Sequence, residues 1–179
     1  KYDATAASMI ALLKYGTGLP FHRLAKLEQS LGIPLAAATQ WEVVQKVEPA
    51  LAPAYAELVC QAAQGEVLHN DDTTMTILEL ASETRQEAEA EEETLEGKRT
   101  GVFTSGIVSI AEGRRIALFM TGRKHAGENL ADVLAHRAAE LSAPIQMCDA
   151  LSRNTTGAFA TIVANCIAHA RRRYVEVAG

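Results

Sequence analysis

Two aspartates that follow apolar runs are the residues of this sequence best suited to chemistry. Asp71 follows EVLHN and Asp149 follows IQMC, and both runs have the composition of short strands. In an open α/β sheet, side chains at the carboxyl ends of neighbouring parallel strands meet at one crevice. Two carboxylates there would repel each other unless a cation lay between them. The pair therefore predicts a site for a hard divalent cation, Mg²⁺ or Mn²⁺.

The chemistry that such a site favours is phosphodiester displacement, because two metal ions about 3.5–4 Å apart can hold the attacking and leaving oxygens. A simpler interpretation stays open, since aspartate also caps the turn or helix that follows it. Side chains alternate along a strand, so Asp71 and Asp72 should point to opposite faces. We expect Asp71 to face the crevice. His69 should share its face, either as a supporting group or base or as an ordinary hydrogen-bonded histidine.

The elements before these strands, residues 1–64, have the pattern of a helical region. Apolar residues at helical spacing stop at Gly16, a second helix runs from Pro20 to Gly32, and a third carries Trp41 as its expected core anchor. Pro49 and Pro53 should separate the third helix from AYAELVCQAA.

The segments LAKLEQSLGI and AAATQWEVVQKV have the outline of a helix-turn-helix, although any antiparallel helix pair gives the same pattern. Three cations on this region are suited to contact a DNA backbone: Arg23, Lys26 and Lys46.

The pattern of apolar and turn residues over residues 65–179 predicts a mixed α/β domain. A strand EVLHND is followed by a hairpin of GVFTSGIVSI and RIALFMTG, then by an amphipathic helix, HAGENLADVLAHRAAEL, with Leu141 on its apolar face. IQMCD should be a strand and TTGAFATIVANC a helix, while CIAHARRRYVEVA fits either structure. The order of strands and helices indicates an α/β fold.

An acidic insertion, residues 79–98, interrupts this domain and holds eight of the 22 acidic residues. Its like charges predict an exposed helix or a mobile insertion. The net charge of −5 therefore says little about nucleic-acid binding, because the rest of the chain is near neutral. A dense basic run, Arg171, Arg172 and Arg173, suits phosphate recognition by guanidinium groups.

Cysteine usage and hydropathy indicate a cytoplasmic protein without a membrane anchor. The three cysteines are far apart and odd in number, which is typical of a reducing compartment. No apolar run approaches the roughly 20 residues of a membrane span. The chain begins at Lys1 rather than at methionine, so we expect it to be part of a longer protein.

Four motifs, taken in order, resemble the insertion-sequence-66 (IS66) family of bacterial transposases over nearly the whole chain outside the acidic insertion. They are KYGTGLPFHRLAKLEQSLGIPLAAATQW, VLHNDDTTM, CDALSRN and CIAHARRRYVEV. The resemblance implies an RNase H-like (retroviral-integrase-like) core whose DDE carboxylates bind divalent metal and cut and join DNA at transposon ends. It implies Asp71 as the first catalytic aspartate and metal ligand and Asp149 as the second. Asp72 stands where the family usually has glutamate, and Thr74 where proline is frequent.

The third carboxylate that the resemblance implies is a glutamate on a helix after CIAHARRRYVEV. Glu176 lies inside that motif and is not assigned the role. We therefore expect residues 1–179 to fold without catalysing strand transfer, an expectation that metal-dependent nicking by this chain would contradict. Cys166 and His169 have the spacing of half a zinc site, but a packed cysteine and a hydrogen-bonded histidine are favoured. Asp72 and His169 are candidates to support the metal ligands.

The resemblance also implies partners: DNA of the transposon ends and target, and further copies of the protein in the active complex. Two alternatives stay open at this point. One is a DNA-binding regulator without catalysis, and the other is an RNase H-like nuclease that hydrolyses DNA without joining it.

Overall fold

The structure is a computed structural model that describes residues 2–75 and 101–178. The acidic insertion, residues 79–98, lies outside the described residues. Contacts within the chain divide it into two units, Lys1–Ala56 and Glu57–Gly179, and each unit has a hydrophobic core of its own. The domain division after residue 64 stays a prediction.

The first unit is helical, as its pattern predicts. A π-helical turn, Leu12–Gly16, extends the first helix, and the helices are α1 Ala4–Ala11, α2 Phe21–Ser30, α3 Ala37–Gln45 and α4 Glu48–Ala63, the last crossing the unit boundary. The Asp3 side chain caps α1 by accepting a hydrogen bond from the Ala6 N–H. Gly32 follows α2 with φ 76°, a conformation in which glycine ends helices at little cost. The buried core of this unit is formed by Ala7, Ile10, Leu24 and Val43.

Two predictions for this region are wrong. Trp41 is 49% exposed and lies edge-to-face against Phe21, because Val43 takes the buried position of α3. Pro53 does not separate two helices but lies inside α4. A proline there removes one hydrogen bond near the start of the helix, while Val59 and Ala62 in its second half pack in the core of the second unit.

The second unit is a five-stranded mixed sheet with the order β3-β2-β1-β4-β5. The strands are β1 Val67–Met75, β2 Val102–Ala111, β3 Arg114–Gly122, β4 Ile145–Cys148 and β5 Ile162–Asn165. β1 to β3 are antiparallel, whereas β1, β4 and β5 run parallel. The predicted hairpin of β2 and β3 is confirmed, and its turn has positive φ at Glu112 and Gly113, as a two-residue hairpin loop requires.

β1 does not end at Asp71 as predicted, because its antiparallel pairing with β2 continues as far as Met75 and Val102. On its other side, β1 pairs with β4 only as far as His69 and Met147. At Asp71, β1 is therefore still paired with β2 on its antiparallel side. On its parallel side the pairing with β4 has already ended.

The prediction of a helix over TTGAFATIVANC is wrong, because Ile162–Asn165 forms the edge strand β5 beside β4. β-branched residues suit this strand, and Gly157, at φ 59°, interrupts the chain before it. The ambiguous last stretch forms a helix, α6 Ile167–Ala178. The amphipathic helix after the hairpin, α5 Ala126–Leu134, is shorter than predicted and leaves Leu141 exposed.

One face of the sheet, which we call the covered face, packs against α5 and the end of α4. Its buried apolar residues form the core of the unit: Ala62, Ala63, Leu68, Ile107, Leu118, Leu130, Val133 and Leu134. Alternation along β1 turns His69 and Asp71 to the opposite, open face. Across the open face, Asp71 pairs with Gly106 and Gly106 with Phe119, whose side chain is 71% exposed. Within residues 2–75 and 101–178, no helix is long and apolar enough to cross a membrane.

Candidate functional site

Asp71 and Asp149 each lie two residues beyond the last pair of β1 and β4. Val67 is paired with Ile145 and His69 with Met147, and the pairing ends there. Because the two strands are parallel, both aspartates follow at the same end of the strand pair. Strand pairing thus brings two residues that are 78 positions apart along the chain to one end of the sheet.

Both aspartates line one cavity of about 250 Å³ on the open face. The residues around it come from β1, β2, β4 and the chain after β4: His69, Asn70, Asp71, Gly106, Val108, Met147, Cys148, Asp149 and Cys166. Gly106 has no side chain to fill the space beside Asp71, so the floor of the cavity stays flat at that point. His69 shares the cavity with Asp71, on the face that alternation predicts.

The Asp149 carboxylate is held by the loop that follows it. Its Oδ1 accepts a hydrogen bond from the Leu151 N–H at 3.1 Å, the pattern of an Asx turn, and a second bond from Asn154 Nδ2 at 2.5 Å. Asn154 belongs to a 3₁₀ turn, Ser152–Asn154. One oxygen of Asp149 is thus occupied, and the other is the atom that can meet a ligand.

Asp71 is exposed, and its Oδ1 accepts the main-chain N–H of Asp72 at 2.8 Å. The pKa of the Cys148 thiol is raised, chiefly by burial and further by the negative charges of Asp149 and Asp71. Two anionic groups near one buried thiol make a local negative potential, and such a potential attracts cations.

The Asp72 side chain points to the covered face and does not enter the cavity. Its Oδ1 accepts a hydrogen bond from the Ser105 hydroxyl at 2.7 Å, and its Oδ2 lies 3.0 Å from His125 Nδ1. Asn129 of α5 in turn donates to the Ser105 oxygen at 2.7 Å. Asp72 therefore ties the central strand to β2 and to the start of α5, where His125 and Glu128 form a capping box.

The other predicted site residues are distributed over both units. Arg23, Lys26 and Lys46 are exposed on the first unit. Arg171 is exposed on α6 of the second unit, whereas the side chains of His169, Arg172 and Arg173 lie outside the part of the chain that the structure describes. Their roles stay predictions.

Sequence reasoning missed the polar residues that support the two aspartates. Asn154, Ser105 and His125 contact Asp149 or Asp72, yet none is singled out by composition or periodicity. The motif CDALSRN does contain a signal for Asn154, because this amide residue closely follows Asp149. The partners of Asp72 are brought to it by strand pairing and by α5, which local patterns do not report.

The donor set fits Mg²⁺ or Mn²⁺. Carboxylate oxygens are the hard ligands that these cations prefer, and Asp71 and Asp149 supply them on one face. The described residues contain no group of three or more histidine, cysteine, aspartate or glutamate side chains that could hold a metal. Two carboxylates alone are fewer ligands than either cation takes, so water or phosphate oxygens would have to supply the rest.

Comparison with known protein families agrees with these motifs. A family model described as "Transposase IS66 family" matches residues 1–179. Comparisons with curated proteins and with solved structures found no match.

Proposed function

We propose, from the premise that this chain belongs to the IS66 transposase family, that Asp71 and Asp149 are two carboxylates of a DDE-type site that cuts and joins DNA at insertion-sequence ends. The observation that carries the proposal is that both residues line one cavity, each two positions beyond the last pair of β1 and β4. The five-stranded mixed sheet with its helices supports an RNase H-like core. We place the remaining glutamate of the triad outside the described residues.

Metal binding is the task of the two aspartates in this proposal. Asp149 would use Oδ2, because Oδ1 is occupied by Leu151 and Asn154. Asp71 is exposed, so DNA can approach its carboxylate from solvent across the open face. Mg²⁺ or Mn²⁺, when bound, would polarise the scissile phosphate and help to deprotonate the nucleophile, first water and then a DNA 3′-hydroxyl. The charge of the carboxylates keeps the cation in place while the phosphate approaches it.

DNA binding is proposed for the exposed cations of each unit. Arg23, Lys26 and Lys46 would position the helical unit on phosphates, and Arg171, with Arg172 and Arg173, would contact phosphate from α6. Such contacts release counterions, so DNA affinity should fall steeply with salt. Self-association in the active complex and a cytoplasmic location complete the proposal.

Binding of Mn²⁺ to this chain, followed by the electron paramagnetic resonance of the free ion, tests the metal site. We expect Asp71→Asn and Asp149→Asn each to weaken binding at least about tenfold, because each removes one anionic ligand. Asp132→Asn is the matched control: it removes the same charge from an exposed carboxylate on α5 that pairs with Lys124. Unchanged Mn²⁺ binding in either site variant would refute the proposal.

DNA cleavage by the transposase separates this function from its two rivals. The Asp149→Asn transposase should bind end DNA and fail to cut it. A regulator without catalysis would keep its activity in that variant. A nuclease would hydrolyse DNA in a metal-dependent manner and give no joined products, so the assay must score strand joining as well as cleavage.

A further inference from the structure

We infer that Asn154 is a positioning residue for Asp149, a role that rests on the proposed function and extends it. Asn154 is 1% exposed, and its Nδ2 donates to Asp149 Oδ1. A carboxylate only accepts hydrogen bonds, so the amide nitrogen must be the atom that faces it. This bond fixes which Asp149 oxygen points into the cavity.

Asn154 is itself held by buried amides from the two strands that lead to the aspartates. Its main-chain oxygen accepts a hydrogen bond from Asn70 Nδ2 at 2.7 Å and another from Gln146 Nε2 at 2.7 Å. Gln146 also donates to Asn70 Oδ1 at 3.0 Å. Asn70 immediately precedes Asp71, and Gln146 lies in β4 before Asp149. The network therefore ties the loop after β4 to the strand that carries the other aspartate.

The first turn of α5 closes this loop from the covered face. A Cβ added at Gly127 would overlap the Thr155 carbonyl oxygen and come within 2.7 Å of the Arg153 carbonyl oxygen. The main chain on both sides of Asn154 thus lies directly against the helix, and only glycine allows this approach. Asn154 has little freedom to move away from Asp149.

The amide oxygen of Asn154 lowers the stability of the fold. Its Oδ1 is buried and has no hydrogen-bond partner among the residues that the structure describes. An unsatisfied buried acceptor costs about 1–3 kcal/mol. A buried group without a partner calls for an explanation, and we explain this one by the amide nitrogen of the same side chain, which is bound to Asp149.

The test compares three variants of this chain by Mn²⁺ binding. Asn154→Ala removes the donor to Asp149, and we expect the affinity to fall about 10- to 100-fold, as for other groups that orient metal ligands. Asn154→Leu keeps a side chain of similar size that donates no hydrogen bond to Asp149, so its loss should be as large. Ser109→Ala is the matched control, because it deletes a buried hydrogen bond of the same sheet, to the Ala62 carbonyl oxygen, outside the network around Asn154; its affinity should equal that of the wild type.

A second readout needs no metal. The Leu151 N–H shares Asp149 Oδ1 with Asn154, so its amide NMR signal should shift and its hydrogen exchange should accelerate in Asn154→Ala and not in Ser109→Ala. Wild-type Mn²⁺ affinity in Asn154→Ala, or equal losses in Asn154→Ala and Ser109→Ala, would overturn the inference while Asp149→Asn still loses the metal. If Asp149→Asn binds Mn²⁺ like the wild type, the proposed function fails and this inference fails with it.

Discussion

Replacing Asp72 with alanine should destabilise the sheet unit, whereas the same change at Asp71 should not. The Asp72 side chain is 4% exposed and has two hydrogen-bond partners, Ser105 and His125. Hydrogen bonds to charged groups contribute about 1.5–3 kcal/mol each. The His125 side chain is 18% exposed and can recover water, so its bond counts near the lower limit, while Ser105 is fully buried. We expect the free energy of unfolding to fall by about 3–4.5 kcal/mol.

Native-state hydrogen exchange of the β1 and β2 amides is the suitable assay, because Trp41, the only tryptophan, lies in the other unit. A loss of about 3–4.5 kcal/mol corresponds to exchange that is roughly 140- to 1,600-fold faster. Asp71→Ala is the control, since its exposed side chain should contribute within about 0.5 kcal/mol. Equal exchange rates in the two variants would show that the neighbouring aspartates do not have separate tasks.

Three further predictions concern packing, turn geometry and charge. Gly127→Ala should lower the melting temperature, with a cost of about 1–3 kcal/mol from the close approach of α5, while Gly122→Ala, with open space around its Cβ, serves as control. Glu112→Asn should raise stability by up to about 1 kcal/mol in urea unfolding, because φ is 50° there and asparagine tolerates it better. Asp149→Asn should move the pH profile of Cys148 alkylation to lower pH, because removing a nearby negative charge lowers the thiol pKa.

The elements that local patterns predict well are those with a strong local signal. The β2–β3 hairpin has alternating strands around a turn, and β1 and β4 are apolar runs that lead into aspartate. The edge strand β5 is four residues long and follows a glycine-interrupted loop, so its pairing with β4 decides its structure. Pro53 is exposed inside α4, where the local preference of proline to end a helix does not decide the structure.

In the candidate site too, some residues can be predicted from the local sequence and others only from contacts between distant parts of the chain. Asp71 and Asp149 are visible in the sequence because strand ends mark ligand crevices in α/β sheets. The amides beneath them are invisible there, because Asn70 reaches Asn154 across 84 positions of the chain. Such a contact depends on strand order and register, and neither can be derived from a single local pattern.

The pairing of Met75 with Val102 has a consequence for the architecture of the central strands. The last residue of β1 is thus paired with the first residue of β2. The sheet keeps these two residues about 5 Å apart whatever length of chain joins them. Doubling the length of a connection costs only about 0.6 kcal/mol of closure entropy. We therefore expect a reporter domain inserted between these two strands to leave the pair of Asp71 with Gly106 in place.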